Sequence, residues 1–433
     1  MNSNYIYKGF LALAVVSMAA CKPELSQVTP SKGGADFTRY IAVGNSLTSG
    51  FADGGLYLEG QQNSYPDMVA TQMKTVGGGT FFTPFFNANQ ADGSGYKKIA
   101  SFNGADPVIV DVPAAAVRGS ITLPGVGTVA LLTKYVGDLN NYGVPGIKLA
   151  NITNPGYGNA NPYFERLLPN PSPTNTTAYL DFVTAKPYTF FSMWLGNNDI
   201  LGYAVAGGAS PTDQPTPKSD FASLYNTAAN ALTKTGAKGV VATIPDVLGT
   251  PYFTTVTYAA ILAGVQATAP TVTAIYIKTG AGAVRPATAQ DFFVLPLKAA
   301  NLIGKPNAAG LPYGLHPLNP VENQYVLDQA EAAIVTDYIN SYNATIKSVA
   351  AAKGLAVVDA YALFKAYGAG KVVNGAAVSA AYITGNLFSL DGIHLTPLGY
   401  SIVANEFIKA INGQYGSSIP IVDVTKYRGV KFP

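Results

Sequence analysis

The sequence is short of the residues that make crosslinks, metal centres and charged interfaces. Its 433 residues include one cysteine and two histidines. A lone cysteine cannot close a disulfide within the chain, and so few nitrogen and sulfur donors leave little for a zinc or iron site. Charge is equally sparse: Asp, Glu, Lys and Arg together make up 12%, and the formal net charge is +3. That excess is too small, and the basic residues too scattered, to suggest a nucleic-acid partner. Surface polarity must then come from Asn, Thr, Ser, Gln and Tyr, a balance that suits work outside the cytosol. Past the first twenty residues no long uncharged apolar run occurs, so no transmembrane helix is expected. Hydrophobic residues still make up 48% of the chain, enough for a sizeable core.

What is present begins at the N-terminus. Lys8 forms a short basic region, and Gly9 to Ala20 is a twelve-residue apolar stretch, too short to cross a bilayer as a helix. The small residues Ala19 and Ala20 then precede Cys21, so residues 1–20 read as a signal peptide. The pattern resembles the lipobox of bacterial lipoproteins, with Met18 where leucine is usual. That resemblance implies cleavage before Cys21 and lipid on its thiol. The mature protein would then be a membrane-anchored lipoprotein of the bacterial cell envelope, on the outer membrane and facing the periplasm or the cell surface. Residues 21–35, with Pro, Ser, Gly and Lys and no periodicity, read as a flexible tether.

From Asp36 the chain alternates between short apolar runs and helical segments. Tyr40 to Val43, Phe190 to Leu195, Gly239 to Ile244 and Leu355 to Val358 read as buried strands. Helices are predicted from Ser64 and Pro66 to the Gly77–Gly79 stop, and over 219–235. Two more run from the Asn319-Pro320 cap to about Lys353 and from Thr396-Pro397 to about Asn412. Strands alternating with helices imply parallel βαβ units, hence an α/β fold: a three-layer α/β/α sandwich with a mainly parallel sheet. Two stretches, 80–145 and 248–318, break the alternation and read as insertions into one domain spanning 36–433, expected to build walls over the cleft. Within the second, residues 274–278, the Thr279–Gly282 turn and residues 291–295 suggest a β-hairpin.

Three strings carry the chemistry: GNSLTSG (Gly44 to Gly50), LGNND (Leu195 to Asp199) and SLDGIH (Ser389 to His394). The first two follow strand candidates, so they fall on the edge where parallel sheets place their active residues. A serine hydroxyl is a weak nucleophile and needs a base within hydrogen-bond reach; histidine suits that task best. Of the two histidines, His316 lies in an insertion and reads as a loop or packing residue. His394 has an acid three positions before it. Asp391 can accept from the imidazole and fix its tautomer. The amide of Asn198 can hold an oxyanion. Each residue also has a plainer reading: Ser46 as a helix cap, Asp391-Gly392 as a turn, Asn198-Asp199 as a strand-end turn. A phosphate cradle at GNSLTSG is disfavoured because the loop lacks a GK[ST] ending.

Taken in order, the strings resemble the SGNH branch of the GDSL esterase/lipase family. Ser46 falls on the family's nucleophile, although this chain reads GNSL with Asn45 in place of the aspartate. Asn198 falls on the asparagine of its third block, and Asp391 and His394 on its final DxxH. The resemblance implies a carboxylic ester hydrolase that needs no metal or organic cofactor. It also implies an oxyanion hole built from the N–H of Ser46, a glycine N–H and Asn198. Gly146 is the chosen glycine, with Gly143 as competitor. Acylated carbohydrates, lipids and small esters are all open as substrates. A non-catalytic glycan-binding surface lipoprotein with a degenerate hydrolase fold is the alternative, and the four intact residues argue against it.

Overall fold

The computed structural model describes residues 29–104 and 106–433. The signal peptide, Cys21 and most of the expected tether lie outside the described residues.

Five parallel strands form the central sheet: β1 (Tyr40–Gly44), β2 (Asn141–Gly143), β3 (Phe190–Trp194), β4 (Lys238–Ala242) and β5 (Ala356–Val358), in the order β2-β1-β3-β4-β5. Every residue of β1 and β3 is buried, as continuous apolar runs between two helical layers require. Side chains alternate between the layers. Ile41, Val43, Phe191 and Met193 pack on α3 (Lys218–Thr233) and α4 (Gln329–Lys353). Tyr40, Ala42, Phe190 and Trp194 pack on α1 (Tyr65–Met73) and α5 (Pro397–Tyr415). A fifth helix, α2 (Asn198–Val205), follows β3 directly. The expected three-layer α/β/α sandwich is what forms. Because β1 connects outward to β2 and the chain then returns past β1 to β3, a crevice opens at the C-terminal ends of these three strands.

Element limits differ from the sequence reading in instructive places. Helix α4 does not start at Asn319-Pro320. Val321 is instead fully buried, bridged to Ile277, and Val326–Leu327 pairs with Phe292–Phe293. The helix begins after Asp328, whose carboxylate accepts from the N–H groups of Ala330 and Glu331 while the Glu331 side chain returns to the Asp328 N–H. This capping box satisfies the orphan donors of the first turn. Helix α5 runs through Gly413 to Tyr415 and ends on Gly416 in the left-handed conformation.

The first long stretch ends earlier than expected. Asn141–Gly143, inside the predicted 80–145 span, is the edge strand β2 of the main sheet. The preceding chain makes two antiparallel ribbons, Tyr96–Asn103 with Asp106–Val112 and Val117–Leu123 with Gly127–Leu132. Two-stranded ribbons are marginal alone, and each is tied down. Ile99 packs with Ile383 and Leu390. Arg118 and Lys134 both reach the fully buried Glu165 carboxylate, at 2.8 and 2.7 Å. The second stretch carries its own small core, including Val256, Ile275, Ile277, Phe293 and Leu297. Tyr276–Lys278 does form a hairpin, with Val284–Pro286, but Phe292–Phe293 pairs elsewhere. Among the described residues no helix is long and apolar enough to cross a membrane.

Candidate active site

Strand β1 ends at Gly44 and delivers the chain into a single helical turn, Ser46–Ser49. The cap is Asn45, not Ser46: its Oδ1 accepts from the Leu47 N–H at 3.0 Å. An asparagine therefore does the local turn-making that an aspartate would do at this position. Ser46 is the first residue of the turn, so its own N–H has no acceptor within it.

The partners of Ser46 arrive from 348 residues downstream. In the loop leading into α5, the Asp391 Oδ1 accepts from the backbone N–H groups of Ile393 and His394, at 2.9 and 2.8 Å. Its Oδ2 lies 2.8 Å from His394 Nδ1, and His394 Nε2 lies 2.8 Å from Ser46 Oγ. The turn that carries the histidine thus also holds the acid that orients it. Burial alone would raise the Asp391 pKa, but the neighbouring His394 charge and the hydrogen bonds from His394 and Ile393 outweigh it. They hold the carboxyl well below the usual carboxylate range. The ring of Phe51 packs against the imidazole with centroids 4.6 Å apart.

A second acid supports this turn and was not singled out in the sequence. Asp53, at φ 53°, accepts from the Leu390 N–H at 2.9 Å and from the Tyr57 hydroxyl at 2.7 Å. Its own N–H donates to Ser389 Oγ, and the next N–H, of Gly54, donates to Asp391 Oδ2 at 2.8 Å. The loop after Ser46 and the loop bearing His394 are therefore laced together. The Asp53-Gly54 pair was the available signal, since that dipeptide marks a tight turn just beyond the serine block.

Asn198 and Asp199 organise the loop after β2. The Asn198 amide donates to the Ile147 carbonyl at 2.9 Å. Asp199 accepts from the N–H groups of Leu149 and Ala150 and from the Thr216 hydroxyl. Asn161 holds the Pro145 carbonyl at 2.9 Å. Gly146 sits between these anchors at φ 81°, and its N–H has no acceptor among the described residues. Gly143 differs: its N–H is taken by Asn141 Oδ1 at 3.0 Å, and a Cβ there would stand 2.3 Å from the Ser49 nitrogen. Gly143 is needed for close packing of strand and turn, which leaves Gly146 as the glycine with a donor to offer.

Ser46, Asn198 and His394 line one narrow cavity of about 40 Å³. Residues 80–145 contribute nothing to its wall, and residues 248–318 contribute only Thr250. The expected walls are thus not built from the insertions at this point; strand-end and helix residues of the sandwich and the loop 388–395 supply most of them. Of the aromatic residues in the first stretch, Phe81 stacks on Tyr40 and Phe86 is buried under Arg166, while Phe82 and Phe85 are exposed. The second stretch does touch the site's backbone, through the Tyr252 N–H on the Gly392 carbonyl at 3.0 Å. His316 is not brought to Ser46. Its Nδ1 accepts from the Leu318 N–H at 3.1 Å inside its own loop.

The family model described as GDSL-like Lipase/Acylhydrolase matches residues 40–407, which takes in all of these groups. The chain belongs to that family. Esterase- or lipase-type hydrolysis of an ester is therefore its general activity. No curated protein sequence matches the chain. Among solved structures it is similar to LAE5, an α/β hydrolase enzyme from the metagenome of Lake Arreo, Spain: 11% identity, TM-score 0.38, covering 87% of this chain and 96% of that one. It is also similar to a lipase/acylhydrolase from Enterococcus faecalis, with 12% identity, TM-score 0.34, and 89% and 100% covered. A putative SGNH hydrolase from Slackia heliotrinireducens gives 13%, 0.32, and 87% and 100%.

Proposed function

We propose that this member of the GDSL-like family is a serine carboxylic ester hydrolase acting through an acyl-enzyme on Ser46. The reading rests on one observation: the unbroken path from Asp391 through His394 to Ser46 Oγ, with both links at 2.8 Å. His394 Nε2 takes the serine proton as Oγ attacks the ester carbonyl carbon. Asp391 keeps the proton-bearing Nδ1 turned toward itself and stabilises the imidazolium. The oxyanion is held by the N–H groups of Ser46 and Gly146 and by the Asn198 amide. Loss of one such donor costs about 10²–10³ in rate. His394 then gives its proton to the departing alcohol oxygen. A water, deprotonated by the same nitrogen, releases the acid and restores the serine. Nothing in this sequence of steps calls on a metal or an organic cofactor. Acylated carbohydrates, lipids and small esters are the substrate classes, and lipid at Cys21 would hold the enzyme in the cell envelope.

The test is Ser46→Ala. The variant should fold and lose turnover of p-nitrophenyl acetate to the background rate; wild-type turnover would remove the reading.

A further inference from the structure

The cavity beside Ser46 is small, and its wall is apolar. Leu47, Leu201, Val247, Phe364, Phe388 and Ile393 all line it. Leu47 follows the serine in its helical turn, and Leu201 stands one turn after Asn198 on α2. Phe364 projects from the helix Ala360–Gly368, and its ring meets that of Phe388 at 5.8 Å. Leu47, Val247, Phe364 and Phe388 are all buried, so this end of the cavity is closed by packed side chains. Asn197 and Thr250 bring the other polar side chains, and the Thr250 hydroxyl is already committed to the Val247 carbonyl at 2.8 Å.

We propose that this cavity is the acyl pocket and that it restricts the enzyme to short, unbranched acyl groups, from acetyl to about butyryl. The inference rests on the acyl-enzyme reading. Two physical arguments carry it. The first is size. The cavity holds about 40 Å³, only a few times the roughly 10–15 Å³ that a single water needs, which leaves room for a short chain and not a long one. The second is which half of the ester suits a closed apolar space. The acyl group stays on Ser46 through the second half of the reaction, whereas the alcohol must leave before water enters. A closed apolar end fits the part that stays; a sugar or other polyol would find too few hydrogen-bond partners there. Leu201, partly exposed at α2, and Phe364, at the packed end, then set the length limit.

The experiment is a two-armed kinetic series on the intact protein. In the first arm the p-nitrophenyl esters of acetate, butyrate, octanoate and laurate are compared by kcat/KM. Acetate and butyrate should exceed octanoate by at least about tenfold, the scale on which a pocket discriminates added methylenes. Leu201→Ala and Phe364→Leu should each raise the octanoate-to-acetate ratio about fivefold or more, and Leu201→Phe should lower the butyrate-to-acetate ratio. In the second arm acetate esters of alcohols of increasing size should vary less than the acyl series does. Equal or better cleavage of octanoate by the wild type, unchanged ratios in all three variants, or a steeper fall with alcohol size than with acyl size would each overturn the proposal. None of these results bears on Ser46 itself. Loss of the acyl-enzyme reading would instead show as undiminished turnover by Ser46→Ala.

Discussion

At the scale of single residues, the proposed chemistry falls to Ser46, His394 and Asp391, and Asp53 ties the two loops that carry them together. His394 should be indispensable and His316 dispensable. Replacing His394 by Ala should lower kcat by at least about 10³-fold, and replacing His316 should change it little; steady-state kinetics on one ester would expose the reverse ranking. Because Asp391 is held well below the usual carboxylate range, it stays ionised throughout the working pH range. Asp391 should therefore add no proton of its own to the acid limb of kcat/KM. A limb with a slope of two would mean that Asp391 titrates there as well. Asp53 acts through the backbone of the Asp391 turn. Asp53→Ala leaves the Leu390 N–H without its acceptor, a loss worth about 1–3 kcal/mol for a buried donor. It should lower kcat with little change in KM, and an unchanged kcat would deny it any positioning role. Ser46, Asn198, Asp391 and His394 were legible in the sequence because each sits in a short string beside a strand or a capped helix. Asp53-Gly54 was legible only as a turn, because the contacts of that pair with Ser389 to Asp391 lie more than 330 positions away.

At the scale of elements, the sheet strands and the helices were readable where burial produces a continuous apolar run or a helical period. Reading failed where a segment answers to distant packing. Asn-Pro-Val-Glu at 319–322 looks like a helix start, yet Val321 is drawn into the core of the second stretch. The true start, Asp328 with Glu331, carries the same kind of local signal a few residues later. The two ribbons of 96–132 were unreadable as strands because both of their faces are largely exposed, which weakens the alternation a half-buried strand shows. Strand β2 has three residues and no apolar run at all. Helix α1 carries a test of its own. Burial pushes the Asp67 carboxyl up to about 6, against hydrogen bonds from Thr83 and Ser64. A carboxyl whose pKa is raised on folding stabilises the native state fully below its unfolded value. That contribution is lost as pH rises through about 6. Asp67→Asn should therefore gain stability relative to wild type between pH 5 and pH 7.5, as measured by urea unfolding; parallel curves would show that burial does not set this group.

At the scale of the whole molecule, function follows from strand order. The order β2-β1-β3-β4-β5 brings the ends of β1, β2 and β3 side by side, and these deliver Ser46, Gly146 and Asn198. The C-terminal loop then closes over them with Asp391 and His394. The inserted chain, although long, gives the cavity wall only Thr250, and it meets the site's loop through Ile99 packed on Leu390 and through the Tyr252 N–H on the Gly392 carbonyl. Intact-mass analysis of protein extracted from membranes should show an acylated Cys21 as the first residue, and an unmodified soluble form would contradict a lipid anchor.

The central claim is a covalent bond to one oxygen. Treatment with a fluorophosphonate, followed by digestion and mass mapping, should place a single adduct on the peptide containing Ser46 and none in Ser46→Ala. An adduct on a different serine, or complete resistance of an ester-cleaving wild type, would contradict the account.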